Sequence, residues 1–219
     1  MSAESNLIQR AQAVGVIPTL MIEDIAYAVP LARALSEGGL NVLEITLRSD
    51  AALNAIQQIR QELPQLWVGA GTVRDVTAAK AAHAAGAQFL VSPGYLAPIG
   101  AYCRSQQLPL LPGVSSASEI MAAMADGYQF LKCFPAAVLG GTEWLDAMRG
   151  PFPELMFCPT GGINAGAVES YLQRPNVLCV GGSWVAPQAA IRAADWPQIT
   201  ALANAARDTV QRIRPPRMQ

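Results

Sequence analysis

Apolar and polar positions along this chain follow two alternating patterns. Eight short runs are almost wholly apolar: "GVIPTL" from Gly15, "VLEITL" from Val42, "WVGAGT" from Trp67, "FLVS" from Phe89, "LPLLPG" from Leu108, "QFLKCF" from Gln129, "LMFCPT" from Leu155 and "VLCVGG" from Val177. Their length and their Val, Ile, Leu and Phe content predict strands buried on both faces. Between them lie segments such as "DIAYAVPLARALSEGG", "DAALNAIQQIRQEL" and "DVTAAKAAHAAG", which read as helices. Asp24, Asp50 and Asp75 open these segments as N-caps, glycines close two of them, and "SASE" at Ser116 to Glu119 has the form of a capping box.

The strand starts recur about 20 to 27 residues apart. Eight βα units predict a parallel sheet covered by helices, and eight is the number that closes a (β/α)8 TIM barrel. An open doubly wound sheet is the structural alternative. An extra N-terminal helix is expected around Asn6 to Ala13 and a C-terminal helix from about Asp195 to Arg212. No linker or change of composition divides the 219 residues, so one domain, 1–219, is expected.

Composition narrows the class of partner. Hydrophobic residues make up 52% and charged residues 14%, and no run approaches the ~18 apolar residues of a membrane span. The start "MSAESNLIQR" lacks the features of a secretory signal, so a cytoplasmic protein is expected. Net charge is −1, and the only basic stretch is the tail "RIRPPRM". Nucleic acid and membrane are therefore not expected partners, and a small molecule is. The four cysteines form no CxxC pair and read as buried thiols. The single histidine, His83, rules out a multi-histidine metal site supplied by this chain alone and reads as a residue of a helix end.

Only two lysines occur, Lys80 and Lys132, and Lys132 stands inside "FLKCF". Alternation puts it on one face with Phe130 and Phe134. Burial disfavours the ammonium and makes a neutral, nucleophilic amine accessible, the requirement for a Schiff base. In "VLEITLRSD", Glu44, Thr46 and Arg48 alternate and share a face, offering a proton-transfer group and a fork for a carboxylate. The structural alternative is that these charges merely neutralise one another. Two glycine pairs, "PTGGI" after the seventh run and "VGGSW" after the eighth, fit a phosphate site, since barrels bind phosphate in the loops after those strands. Gly69 and Gly71 of "GAGT" mark close packing, with Thr72 as a hydroxyl donor.

The series "EITLR", "GAGTV", "SPG", "PGV", "KCFPA" and "PTGGI", in this order, resembles the 2-keto-3-deoxy-6-phosphogluconate (KDPG) and 4-hydroxy-2-oxoglutarate aldolase family, from about residue 8 to beyond residue 200. The resemblance implies a class I lyase that releases pyruvate and glyceraldehyde 3-phosphate from KDPG, or pyruvate and glyoxylate from 4-hydroxy-2-oxoglutarate. It implies Lys132 as the Schiff-base residue and Glu44 as proton shuttle, with Arg48 and Thr72 on the substrate carboxylate. Pro93, Phe134 and Thr160 would wall the pocket, and Gly161, Gly162, Gly182 and Ser183 would bind phosphate. Thr160 favours the gluconate-derived substrate over its galactonate epimer. No cofactor or metal is expected, because the iminium supplies the electrophile, and the resemblance implies a homotrimer. "PGVSSASE" and Ala137 depart from the family's pattern beside the core motifs. The alternative activities are a galactonate-epimer aldolase and a phosphate-binding barrel isomerase or synthase without a Schiff base.

Overall fold

The computed structural model describes residues 3–215. Helix α1 (Ala3–Val14) leads into β1 (Val16–Leu20), a single 3-10 turn (Ile25–Tyr27), α2 (Ala28–Glu37), β2 (Val42–Thr46), α3 (Ala52–Glu62), β3 (Trp67–Gly71) and α4 (Val76–Ala84). Then come β4 (Leu90–Val91), α5 (Ala97–Ser105), β5 (Leu110–Leu111), β6 (Gly113–Val114), α6 (Ala117–Ala125), β7 (Phe130–Cys133) and α7 (Thr142–Met148). The chain ends with β8 (Met156–Pro159), α8 (Val168–Leu172), β9 (Val180–Gly182), α9 (Gln188–Arg192) and α10 (Trp196–Ile213).

Every strand pairing in the described residues is parallel. One sheet runs β5-β4-β3-β2-β1-β9 and a second β6-β7-β8, giving an α/β fold whose sheet curls at least as a half-barrel with helices outside. The fifth expected strand is two segments because the chain changes partner at Pro112. Leu110 and Leu111 pair with β4, Gly113 and Val114 pair with β7, and the Pro112 carbonyl accepts from Lys132 N at 2.8 Å. Pro112 itself has no N–H to offer the ladder.

The core has two layers. Leu43, Ile45, Leu131 and Cys133 point outward to the helices, while Ile17, Val42, Trp67, Phe89, Val91, Leu111, Phe130 and Cys158 form an inner cluster with Leu7 and Ala11 of α1. Period-two alternation sends each strand's neighbours to opposite sides. Helix α1 therefore closes the N-terminal ends of the strands. Its Glu4 carboxylate accepts from Gln129 N at 2.7 Å and Phe130 N at 3.0 Å, pinning the helix to the start of β7. At the other chain end α10 packs on α2, where a Cβ on Gly38 would lie 2.3 Å from the Ala203 methyl.

Some local expectations are corrected. Asp24 and Asp75 accept the capping bonds expected of them, and Asp195, expected as the start of the last helix, caps it by accepting from Gln198 N. Asp50 does not cap α3, which starts after Ala51. The 3-10 turn precedes α2 because Pro30 cannot donate to Ala26. Ser116 accepts from Glu119 N, but the returning Glu119 carboxylate takes the N–H and hydroxyl of Ser115 instead of Ser116 N. In the basic tail, Arg212 pairs with Glu169 and Arg214 donates to the carbonyls of Leu172, Val177 and Leu178; residues 216–218 lie outside the described residues. No helix among the described residues is long and apolar enough to cross a membrane.

Candidate active site

Above the inner apolar cluster the inward positions turn polar. Along β2 the order is Val42, Glu44, Thr46 and then Arg48 beyond the strand; along β7 it is Phe130, Lys132, then Phe134. These groups meet in a cavity of ≈ 430 Å³ with Thr19, Thr72, Arg74, Pro93, Thr160, Gly161, Gly162, Ile163, Gly182 and Ser183. The volume suits a small metabolite. All eleven residues expected from the sequence line this one space.

Lys132 and Glu44 are 5% and 3% exposed and lie 3.4 Å apart, Nζ to Oε1. The Nζ also sits 5.2 Å from the centre of the Phe134 ring. Two buried charges this close satisfy each other, and each would be costly alone. The second Glu44 oxygen, Oε2, accepts from the Thr19 hydroxyl at 3.4 Å. Space for the carboxylate comes from Gly71: a Cβ there would lie 2.1 Å from Glu44 Oε1. Gly69, one layer down, makes the same room for the Phe89 ring.

Arg48 is exposed and forms no pair with Glu44; its Nε donates to Thr46 Oγ1 at 3.2 Å, and that hydroxyl in turn donates to Leu20 O at 2.8 Å. The guanidinium is thus fixed through one nitrogen, leaving its outer N–H groups for an anion. Thr72 takes φ 60°, a left-handed conformation that a β-branched residue rarely adopts. The bonds Leu47 N to Gly71 O and Val73 N to Val91 O hold the chain on either side of it. Such strain persists where the surroundings impose it, and it clusters at ligand sites.

On the opposite wall, Thr160 is accommodated because a Cβ on Gly181 would lie 2.3 Å from its hydroxyl. Gly161 and Gly162 have φ 97° and 77°, open to glycine and strained for other residues. Among the described residues no loop hydrogen bond takes up the N–H of Gly161, Gly162 or Ser183. The two following helices, α8 and α9, are five residues each and do not start at these loops. Anion binding here would rest on loop amides and the Ser183 hydroxyl rather than on a helix end.

A larger cleft, ≈ 1000 Å³, opens at the other end of the strands beneath α1. Its carboxylates are occupied, Asp126 by Arg104 and Tyr95 and Glu4 by the β7 amides, and burial pushes the Cys103 thiol up to about 12. Among the described residues, reactive groups converge in the smaller cavity. His83 holds Tyr102 across α4 and α5 through Nδ1 at 2.9 Å, away from that cavity.

Sequence reasoning placed Thr46 on the right face without a role and missed Thr19 and Arg74. Thr19 lies at an inward position of β1, which alternation from Ile17 could have marked. Arg74 sits in a loop, where no periodicity applies.

Comparison with known proteins shows the family. A sequence profile of the KDPG and KHG aldolase family matches residues 7–202. A 2-dehydro-3-deoxy-phosphogluconate aldolase of Pseudoalteromonas atlantica is 47% identical over 191 residues, 87% of this chain and 89% of the relative. A KHG/KDPG aldolase of Escherichia coli K12 is 44% identical over 87% of this chain and 90% of its own. The crystal structure of KDPG aldolase from Legionella pneumophila, with pyruvate captured as a covalent carbinolamine, superposes with a TM-score of 0.89 at 43% identity, covering 91% of this chain and 97% of that one. The chain belongs to the KDPG and KHG aldolase family of lyases.

Proposed function

We propose that this protein cleaves 2-keto-3-deoxy-6-phosphogluconate to pyruvate and glyceraldehyde 3-phosphate, and 4-hydroxy-2-oxoglutarate to pyruvate and glyoxylate, through an imine on Lys132. The observation that carries the reading is the buried Lys132–Glu44 pair, 3.4 Å apart, between a guanidinium wall and a glycine-rich wall. Glu44 takes a proton from Lys132, and the free amine attacks the C2 carbonyl. Glu44 returns the proton to the hydroxyl of the carbinolamine, which leaves as water. The resulting iminium draws electrons from the C3–C4 bond as Glu44, again ionised, takes the C4 hydroxyl proton, giving the aldehyde and a pyruvate enamine. Glu44 returns that proton to C3, and hydrolysis releases pyruvate and restores the amine. Arg48 and Thr72 hold the carboxylate, Pro93 and Phe134 wall the pocket, and Thr160 faces the substrate hydroxyls. Gly161, Gly162, Gly182 and Ser183 receive the phosphate.

The same reading takes the chain as one (β/α)8 barrel domain. Three features support closure: β5 and β6 form one strand interrupted at Pro112, the Thr160–Gly181 bridge joins the two sheets, and one inner cluster draws on strands from both sheets. A homotrimer follows from the resemblance, and Val138, 84% exposed beside "LGGTEWLDAM", suits an interface; a cytoplasmic location rests on the lack of secretory-signal features in "MSAESNLIQR".

The test is incubation with pyruvate and borohydride, followed by intact-mass measurement and peptide mapping. A reduced pyruvate adduct on the peptide containing Lys132 is expected in the wild-type protein. Lys132→Ala should lose both the adduct and cleavage while keeping its circular dichroism at about 25 °C, with a lowered thermal midpoint because Glu44 loses its partner. Cleavage that survives in this variant, or no adduct in the wild type, overturns the imine.

A further inference from the structure

Arg74 is the charged residue of the cavity wall to which no role has been given. Among the described residues it makes no hydrogen bond or ion pair. It follows Thr72 by two positions, in the loop leaving β3. From β3 the pairing runs through β2, β1 and β9 before the bridge reaches Thr160 and the glycine loop beside it. Arg74 therefore belongs with Arg48 and Thr72, at the pole of the cavity away from Gly161 and Gly162.

The charge distribution says what this pole takes. The ionisable lining is Arg48, Arg74, Lys132 and Glu44. Lys132 and Glu44 neutralise each other at 3.4 Å, which leaves two positive charges, both guanidiniums, at one pole. A planar guanidinium matches a carboxylate and holds it by paired N–H donors. Arg48 is committed to Thr46 through Nε, so it presents only its outer nitrogens. We infer that Arg74 is a second carboxylate-binding guanidinium, gripping the C1 carboxylate of the keto acid together with Arg48. The inference rests on the imine reading above. Its consequence is selectivity: substrates without a phosphate, such as pyruvate in the synthetic direction or 4-hydroxy-2-oxoglutarate, depend on Arg74 more than the phosphorylated substrate does.

Borohydride trapping of pyruvate, measured against pyruvate concentration, tests this in the wild type, Arg74→Gln and Arg74→Lys. The half-saturating concentration should rise about twofold to fivefold in Arg74→Gln, the upper part of the range of an exposed charged contact. Arg74→Lys should recover part of that loss, and added salt should narrow the gap between wild type and Arg74→Gln. Inhibition of KDPG cleavage by inorganic phosphate should be the same in all three. Unchanged half-saturation in Arg74→Gln overturns the inference and leaves the imine standing. Phosphate inhibition that weakens as much as pyruvate capture also overturns it, since Arg74 would then serve the other pole. No adduct in the wild type at any pyruvate concentration removes the imine and this inference with it.

Discussion

Lys132 and Glu44 occupy positions that their strands would normally give to apolar residues, and each is tolerable there because of the other. The carboxylate sits between an ammonium on one oxygen and a threonine hydroxyl on the other. For the proposed chemistry this is a proton carrier already aimed at the amine. Glu44→Gln retains the shape and the Thr19 contact but cannot accept a proton. Turnover should fall roughly 10²-fold or more, the usual worth of a positioned acid–base group, while pyruvate is still trapped on Lys132 on long incubation, at a reduced rate. Steady-state cleavage assayed beside trapping checks this, and a near-normal rate would reduce Glu44 to a counter-charge. At this scale the sequence was legible where a residue broke a pattern. A lysine in an apolar run and an acid alternating with an arginine are visible without coordinates. The φ 60° of Thr72 and the free guanidinium of Arg74 are not, because both are properties of loops, fixed by what the loop ends are bonded to.

At the scale of elements, the site exists because β3 is nearly bare on its inner face. Trp67 fills the floor, and then Gly69 and Gly71 yield their space to Phe89 and Glu44. Gly71→Ala would put a methyl 2.1 Å from Glu44 Oε1, with Glu44 Cγ and Cδ both at 2.7 Å. The carboxylate must swing away from Lys132, so kcat should drop at least about tenfold. The thermal midpoint should shift only a few degrees, since overpacking by one methyl costs about 1–3 kcal/mol. Activity and melting measured on the same preparation separate the two effects; loss of both in proportion would mean the strand itself had shifted. That "GAGT" marks close packing was readable from its glycines. What packs against each was not, because the partners come from β2 and from the residue before β4. Helix starts were legible where Asp stands one residue before the helix, as at Asp75 and Asp195. The reading failed at Asp50, where a turn intervenes, and at Pro30, where a missing donor outweighed the helical pattern.

Across the whole molecule, polarity is graded along the inner faces of the strands, apolar beneath and charged above; Cys158 and Cys179 lie in the inner apolar cluster, and Cys103 and Cys133 in the outer apolar layer. All four cysteines are buried, and burial pushes the Cys103 and Cys133 thiols up to about 12 from a usual value of 9.0. Burial also raises Cys179, and Tyr128 reaches about 12 for the same reason. In the unfolded chain the Cys103 and Cys133 thiols ionise near 9.0, whereas in the folded chain these two stay protonated to about 12. Their contribution to stability is therefore whole below pH 9 and is lost as pH rises from 9 toward 12. Urea midpoints measured at pH 8 and at about pH 10.5 should show a clear fall at the higher value, reversed on return to pH 8. An unchanged midpoint would mean that the thiols ionise as readily inside as outside. The parallel α/β architecture was legible from the spacing of eight apolar runs. The exchange of partners at Pro112 was not, because a proline in a strand tells only that a donor is missing and not which neighbour the chain turns to next.

Among the described residues, α1 and the inner apolar cluster lie beneath Lys132 and floor the cavity on that side. Substrate and products of the proposed reaction would pass the rim where Arg48 and Ser183 stand exposed. In the proposed reaction pyruvate is tethered at depth while the aldehyde lies above it, so the aldehyde must leave before pyruvate can. Run backwards, pyruvate must be seated before the aldehyde comes in. Arrival and departure would then follow a fixed queue, set by the shape of the vessel and independent of which product binds more tightly.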